Sequence, residues 1–252
     1  MSAGERPDDA GADAPVALVT GAGTGIGAAC ARRLAADGFR VAVHYRSSEA
    51  TALALAGELP EAFAVRADLA VPAEIEALVA AVGDHAGRLD VLVNNAGFNV
   101  NAPTVLMKLE DYDAVAATAR GAWYLTKLVL RKFMLRKRRG RIVNISSVVG
   151  STGNPGQAPY TMVKAGLDAL TKTLAKEVAG TGILVNSVAP GFVETAMTDD
   201  LPPDVRERVL AMVPLGRIGR PDEIADVVSF LASRGTYVHG TVLHVNGGMY
   251  GG

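Results

Sequence analysis

Short, continuous apolar runs alternate with stretches of helical period from residue 15 to the carboxyl end of this 252-residue chain. Val16–Val19, Arg40–Tyr45, Ala62–Val65, Asp90–Val93, Arg141–Ile145, Ile183–Val188 and Val242–Val245 read as strands. Strands so short and so evenly apolar predict a parallel sheet covered on both faces. The intervening segments carry helix signals. Residues 25–37 form a first helix ending near Gly38, and Pro72 suits a first helical turn ahead of an Ile75, Leu78, Val79, Val82 stripe. Residues 110–138 make a long helix, another carries Tyr160 and Lys164, and Pro221 opens one with Ile224, Val227, Val228 and Leu231 on one face. Nothing marks a second core or an internal linker. One doubly wound α/β domain over residues 15–252 is therefore expected, with a seven-stranded parallel sheet and helices on both faces. Residues 1–14 are small, polar and acidic and read as a disordered tail.

Ligands on such sheets bind at the carboxyl ends of the strands. Three motifs fall there. The first is the turn Thr20-Gly-Ala-Gly-Thr-Gly-Ile-Gly27. Gly21, Gly25 and Gly27 let backbone approach a pyrophosphate, and the helix that follows presents N–H groups to it. The second is Tyr160-Thr-Met-Val-Lys164, whose ends share one helix face. An ammonium beside a phenol lowers its pKa from about 10 and suits it to proton transfer. The third is Ser147, thirteen residues before Tyr160, with a hydroxyl able to hold a carbonyl oxygen. Together they describe hydride transfer to a carbonyl. Cofactor choice rests on the end of the second strand, where an acid would bind the ribose of NAD. The chain has Tyr45-Arg46-Ser47-Ser48 there, so Arg46 is expected to pair with the 2′-phosphate of NADPH; the alternative is a solvated surface charge.

Composition excludes other classes. The net charge of −1 gives no global case for nucleic acid or membrane binding. Cys30 is the only cysteine, His44, His85, His239 and His244 are scattered, and no cluster has metal-ligand spacing. No apolar run reaches transmembrane length and no signal-peptide core is visible, so a cytoplasmic protein is expected.

With Thr20–Gly27, Asp68-Leu69, Asn94-Asn-Ala-Gly97, Ser147, Tyr160/Lys164 and Pro190-Gly191 in this order, the chain resembles the classical short-chain dehydrogenase/reductases over nearly its whole length. It is most similar to the 3-oxoacyl-(acyl-carrier-protein) reductases in Arg141–Gly150 and Leu243–Tyr250. The resemblance implies a Rossmann-type fold, and a cofactor site built from Gly21, Gly23, Thr24, Gly25, Ile26, Gly27, Tyr45, Arg46, Asp68, Leu69, Asn95, Ala96, Gly97, Tyr160, Lys164, Pro190, Gly191 and Val193. Asp68 would accept from the adenine amino group or serve as a helix N-cap. Asn94 would brace the sheet. Ser147, Tyr160 and Lys164 would be catalytic, with Ser146 the rival for the serine role.

Two departures matter. Members of the family carry a catalytic asparagine midway along the long helix; here Ala119 stands there, or Thr118 after a one-residue slip. A slower or more specialised enzyme is one consequence, and a catalytically weak nucleotide-binding subunit is another. Arg120 replaces an apolar leucine and needs a partner. The basic run including Arg136, Lys137, Arg138 and Arg139 reads either as a docking patch for acyl carrier protein at the mouth of the site or as a solvated helix end. Residues 199–213 would form a substrate lid, with Met197, Leu201, Val209 and Met212 reaching an acyl chain or simply packing. The family is usually a homotetramer built on the long helix, the Tyr160 helix and the last strand. Reduction of another ketone, without a carrier protein, is the competing activity.

Overall fold

The computed structural model describes residues 14–195 and 203–251. Strands and helices alternate as expected: β1 (Val16–Val19), α1 (Gly25–Ala36), β2 (Arg40–Tyr45), α2 (Glu49–Glu58), β3 (Phe63–Arg66), α3 (Pro72–Ala86), β4 (Val91–Asn94), α4 (Leu109–Val129), α5 (Leu135–Lys137), β5 (Gly140–Ile145), α6 (Val149–Thr152), α7 (Ala158–Glu177), β6 (Ile183–Pro190), α8 (Pro203–Ala211), α9 (Pro221–Ser233) and β7 (Val242–Val245). A wide π-type turn, Leu130–Met134, joins α4 to α5. All seven strands are parallel, in the order β3-β2-β1-β4-β5-β6-β7.

Successive residues of each strand feed opposite cores. Ala17 and Val19 pack with Val41, Val43, Val91 and Val93 beneath α1 and α9. Val16 and Leu18 point the other way, into Ala42, Leu92 and Ile142 beneath α3, α4 and α7. Both layers are built of buried apolar side chains, which is why these strands read as apolar runs. Helix ends follow local chemistry. Pro72 occupies the first turn of α3, and Gly87 closes it at φ 64°, the left-handed cap that glycine adopts without strain. The Glu223 carboxylate reaches back to the Arg220 N–H at 2.7 Å at the start of α9.

Several strand boundaries differ from expectation: β5 begins one residue earlier, at Gly140, and β6 runs two residues further, to Pro190. β3 and β4 each begin one residue later. Asp90 lies outside β4; its carboxylate accepts from the Val16 N–H at 2.9 Å and pairs with Arg88 at 2.8 Å, tying the foot of the sheet. A further difference is α2, a helix that periodicity does not announce because it buries only Ala52 and Leu55. Of the anticipated tail, residues 1–13 lie outside the described residues, as do Met197 and Leu201 of the anticipated lid. No described helix is long and apolar enough to cross a membrane.

Candidate active site

A cavity of about 560 Å³ opens at the carboxyl ends of β1, β2, β4, β5 and β6. One wall is the β1–α1 turn. Gly21 and Gly25 hold φ of 63° and 54°, conformations a side chain resists. Gly27 is fixed by a close approach: a Cβ there would stand 2.3 Å from the Gly21 carbonyl oxygen and 2.5 Å from the Asn95 amide nitrogen. Thr24, at the N-cap of α1, makes no side-chain capping bond, so the first turn of the helix is left open toward the cavity.

Three residues brace this turn from behind. Asn95 donates its side-chain amide to the Thr20 carbonyl at 2.8 Å and the Gly21 carbonyl at 3.2 Å. The Thr20 hydroxyl accepts from the backbone N–H groups of Asn95 and Ala96 at 2.9 and 3.0 Å. His44 supplies the third tie. Its Nδ1 accepts from the Gly21 N–H at 3.0 Å and its Nε2 lies 3.0 Å from the Ala67 carbonyl. That pairing fixes the neutral tautomer with Nε2 protonated. Burial drives the His44 pKa down to about 4. Sequence reasoning passes over His44, since a lone histidine in an apolar strand carries no local signal.

Along the nucleotide half of the cavity stand Arg46, Ser47, Ser48, Asp68, Leu69, Ala96, Gly97 and Phe98. Arg46 is exposed, with its guanidinium 5.7 Å from the centre of the Phe98 ring. The Asp68 carboxylate accepts from the Ala70 N–H at 2.8 Å, a local turn ahead of α3 rather than the N-cap itself, which is Val71. Gly21, Thr24, Gly25, Ile26, Gly27 and Asn95 also line the cavity, as do Pro190, Gly191 and Val193 from the end of β6. Two anticipated residues stand off the wall. Tyr45 turns into the core with its hydroxyl 3.1 Å from Glu49, and Gly23 backs onto Ser48. Asn94 sits behind the site; its amide donates to Thr126 and Asn144, both at 2.9 Å, linking β4 to α4 and β5.

Ser147, Tyr160 and Lys164 meet at the other end. Ser146 is spent: it is buried, and its hydroxyl donates to the Val188 carbonyl at 3.2 Å. Ser147 is partly exposed and hydrogen-bonded to Tyr160. Lys164 is buried, donates to the Ile145 carbonyl at 2.7 Å, and holds its ammonium 5.4 Å from the centre of the Tyr160 ring. The expected lowering of the tyrosine by this ammonium is not what the geometry gives. Burial pushes the Tyr160 hydroxyl above the usual phenol range, and the opposing pull comes from Ser147. The lysine is perturbed as well. Burial lowers it to about 8, against a raising influence from Asp168.

Helix α4 presents Ala114, Ala117 and Thr118 to the cavity, and Ala119 stands just off it. The Thr118 hydroxyl donates to the Val115 carbonyl at 2.7 Å. Arg120 finds its partner in the Ala70 carbonyl at 2.7 Å. The basic run is displaced from the expected position at the mouth of the site. Arg136, Lys137, Arg138 and Arg139 precede β5, whereas Ser147 follows it, so the six residues of Gly140–Ile145, roughly 17 Å of strand, separate them. Arg138 closes the helix at φ 50° and donates to the Gly180 carbonyl at 2.5 Å. In the anticipated lid, Val209 is buried and Met212 is half exposed, and neither lines the cavity.

Residues 21–250 match the family model described as enoyl-(acyl carrier protein) reductase. The chain is 45% identical over 240 residues to the 3-oxoacyl-(acyl-carrier-protein) reductase FabG of Staphylococcus aureus, covering 93% of this chain and 97% of that protein. It is 45% identical over 242 residues to the 3-oxoacyl-(acyl-carrier-protein) reductase of Synechocystis, covering 94% and 97%. To FabG of Vibrio cholerae it is 46% identical over 238 residues, covering 93% and 97%. A seven-stranded parallel sheet, a glycine-rich turn braced by asparagine, and a serine, tyrosine and lysine gathered at its end agree with these matches: the chain belongs to the short-chain dehydrogenase/reductase family.

Proposed function

We propose that this protein reduces a 3-oxoacyl thioester, carried on acyl carrier protein, to the 3-hydroxyacyl form with NADPH. The convergence of Ser147, Tyr160 and Lys164 at one end of a cavity whose other end is the glycine-rich turn carries this reading. The matched relatives are named for that reaction.

The residues present fit a dinucleotide. The left-handed glycines and the uncapped start of α1 make a cradle for pyrophosphate oxygens, and a side chain at Gly27 would fill it. Arg46 stands exposed just past the end of β2, with Ser47 and Ser48 beside it, so that the position following this strand carries donors in place of an acid. Pro190, Gly191 and Val193 would flank the nicotinamide, and Asp68, Leu69, Asn95, Ala96 and Gly97 the adenosine. When bound, NADPH supplies the hydride that adds to the carbonyl carbon.

The chain's own groups then do the rest. The Ser147 hydroxyl holds the carbonyl oxygen and keeps it against Tyr160. The Tyr160 hydroxyl donates its proton to that oxygen as negative charge develops on it. A phenol held above its usual range stays protonated until the charge arrives, which suits a donor. Lys164 steadies the resulting phenolate with its charge and offers its ammonium to a ribose hydroxyl. In this scheme Ala119 contributes no side-chain contact to Lys164, whose ammonium donates to the Ile145 carbonyl.

A homotetramer built on α4, α7 and the open edge of β7 accords with half-exposed Trp123, Met162 at 58% exposure and Leu109 at 70%. A carrier protein bound by Arg136–Arg139 would lie against the far end of this chain's sheet, so that patch serves a cleft only if a second copy brings one to it. The test is transfer of label from deuterated NADPH to acetoacetyl thioester. Deuterium at C3 of a 3-hydroxy product supports the reading; a different product, or label found elsewhere, removes it.

A further inference from the structure

Lys164 is a buried ammonium with one backbone carbonyl as its hydrogen-bond acceptor. A single acceptor only partly offsets the desolvation of a charge, and a buried anion close by would offset more of it. Helix α7 supplies one. Asp168 lies one turn beyond Lys164 on the same face and is 7% exposed. A carboxylate this deep is itself unusual and needs holding. Ser187 of β6, fully buried, donates its hydroxyl to Asp168 Oδ1 at 2.6 Å, and Ser187 Oγ also lies 3.2 Å from the Asn144 carbonyl of β5. The Asn144 side chain in turn donates to Thr171 at 2.8 Å, and Thr171 to the Leu167 carbonyl at 2.9 Å. The carboxylate is thus pinned between α7 and the sheet, and Asp168 is not among the residues that line the cavity.

We propose that Asp168, anchored by Ser187, is the fixed counter-charge of Lys164: a positioning residue that keeps the lysine protonated while it works. The inference rests on the reductase reading for its consequence in turnover; its electrostatics rest on the buried placement of Asp168 one helical turn from Lys164 and on its bond with Ser187. Tyr160, on the same helix, is a second titratable group at the ammonium; β5 offers the Ile145 carbonyl, and Gly97 of the β4–α4 segment lies beside it. Asp168 is the one charged group among the described residues whose influence on the lysine is resolved, and it raises the pKa that burial has lowered to about 8. A group poised that close to neutrality loses its proton early once its counter-charge is removed.

The experiment is Asp168→Asn, which keeps shape and the bond with Ser187 and removes only charge. Asp168→Ser, smaller and also neutral, makes the same comparison if the amide does not settle. Two readouts are taken on folded protein. The first is the titration of the Lys164 ammonium by NMR, without substrate. The expected result is a midpoint lower than in the unaltered protein by about one pH unit. The second is the alkaline limb of kcat, expected to move in the same direction by a similar amount, so that turnover near pH 8 falls severalfold while turnover at pH 6.5 changes little. An unchanged lysine midpoint in the folded variants overturns the proposal, whatever the enzyme reduces. A lowered midpoint with an unmoved kcat limb keeps the counter-charge and instead overturns the role given to Lys164 in the reaction.

Discussion

The His44 tie makes acid weaken this protein in a way that one substitution isolates. The imidazole is 1% exposed, neutral, and bonded at both nitrogens. In the unfolded chain it takes a proton near its ordinary pKa of about 6.5; in the folded protein it resists until about 4. Between those values the unfolded state binds more protons, so folding stability is fully present above the unfolded pKa and declines as pH falls toward the folded one. Two and a half units of separation correspond to about 3 kcal/mol in full, of which about 2.5 kcal/mol is lost between pH 7.5 and 4.5. Protonation also puts a donor against the Gly21 N–H, so the loss should fall on the glycine turn and weaken dinucleotide binding with it. Urea unfolding at both pH values, on the unaltered protein and on His44→Gln, measures the difference. The variant should be less stable at pH 7.5, by about 1–3 kcal/mol for the imperfectly replaced bonds. It should also lack this portion of the acid slope. Equal pH slopes in the two proteins would refute the reasoning.

Other consequences are simpler. Arg46→Ala should weaken NADPH binding by about 10- to 100-fold, the loss of a charge-assisted contact, and leave NADH binding unchanged; calorimetry with each nucleotide checks it. Gly27→Ala should cost about 1–3 kcal/mol of stability and abolish tight nucleotide binding, because its Cβ meets the Gly21 carbonyl at 2.3 Å; a thermal melt with and without NADPH reads both. Tyr160→Phe should lower kcat by at least about a hundredfold while NADPH still binds, measured by turnover and by fluorescence titration.

What the sequence made legible followed from local chemistry. β1, β2 and β7 have the anticipated bounds because each apolar run ends abruptly at a polar residue or a turn. The ends of β3 and β4 slipped by one residue because ladder pairing, not hydropathy, decides them: Arg66 pairs with Tyr45 and Asn94 with Asn144. α2 escaped notice because a single turn of contact through Ala52 and Leu55 leaves no stripe. The glycine turn and the Tyr160–Lys164 pair were visible because each needs its residues at fixed short spacing. His44 and Asp168 were not, since each acquires meaning from a partner far along the chain, at Gly21, Ala67 or Ser187. The basic run was visible as charge, but its distance from the cavity depended on which end of β5 faces it. The proton chemistry of Tyr160 and Lys164 was read from adjacency alone, and burial, which adjacency does not reveal, reversed the direction for the tyrosine.

The most direct test of the account is the rate of NADPH oxidation with acetoacetyl thioester, set beside the same reaction with NADH. The account predicts clear turnover that prefers NADPH and is faster still when the acyl group is carried on acyl carrier protein. Tight binding of NADPH with no turnover of the thioester in either form would contradict it.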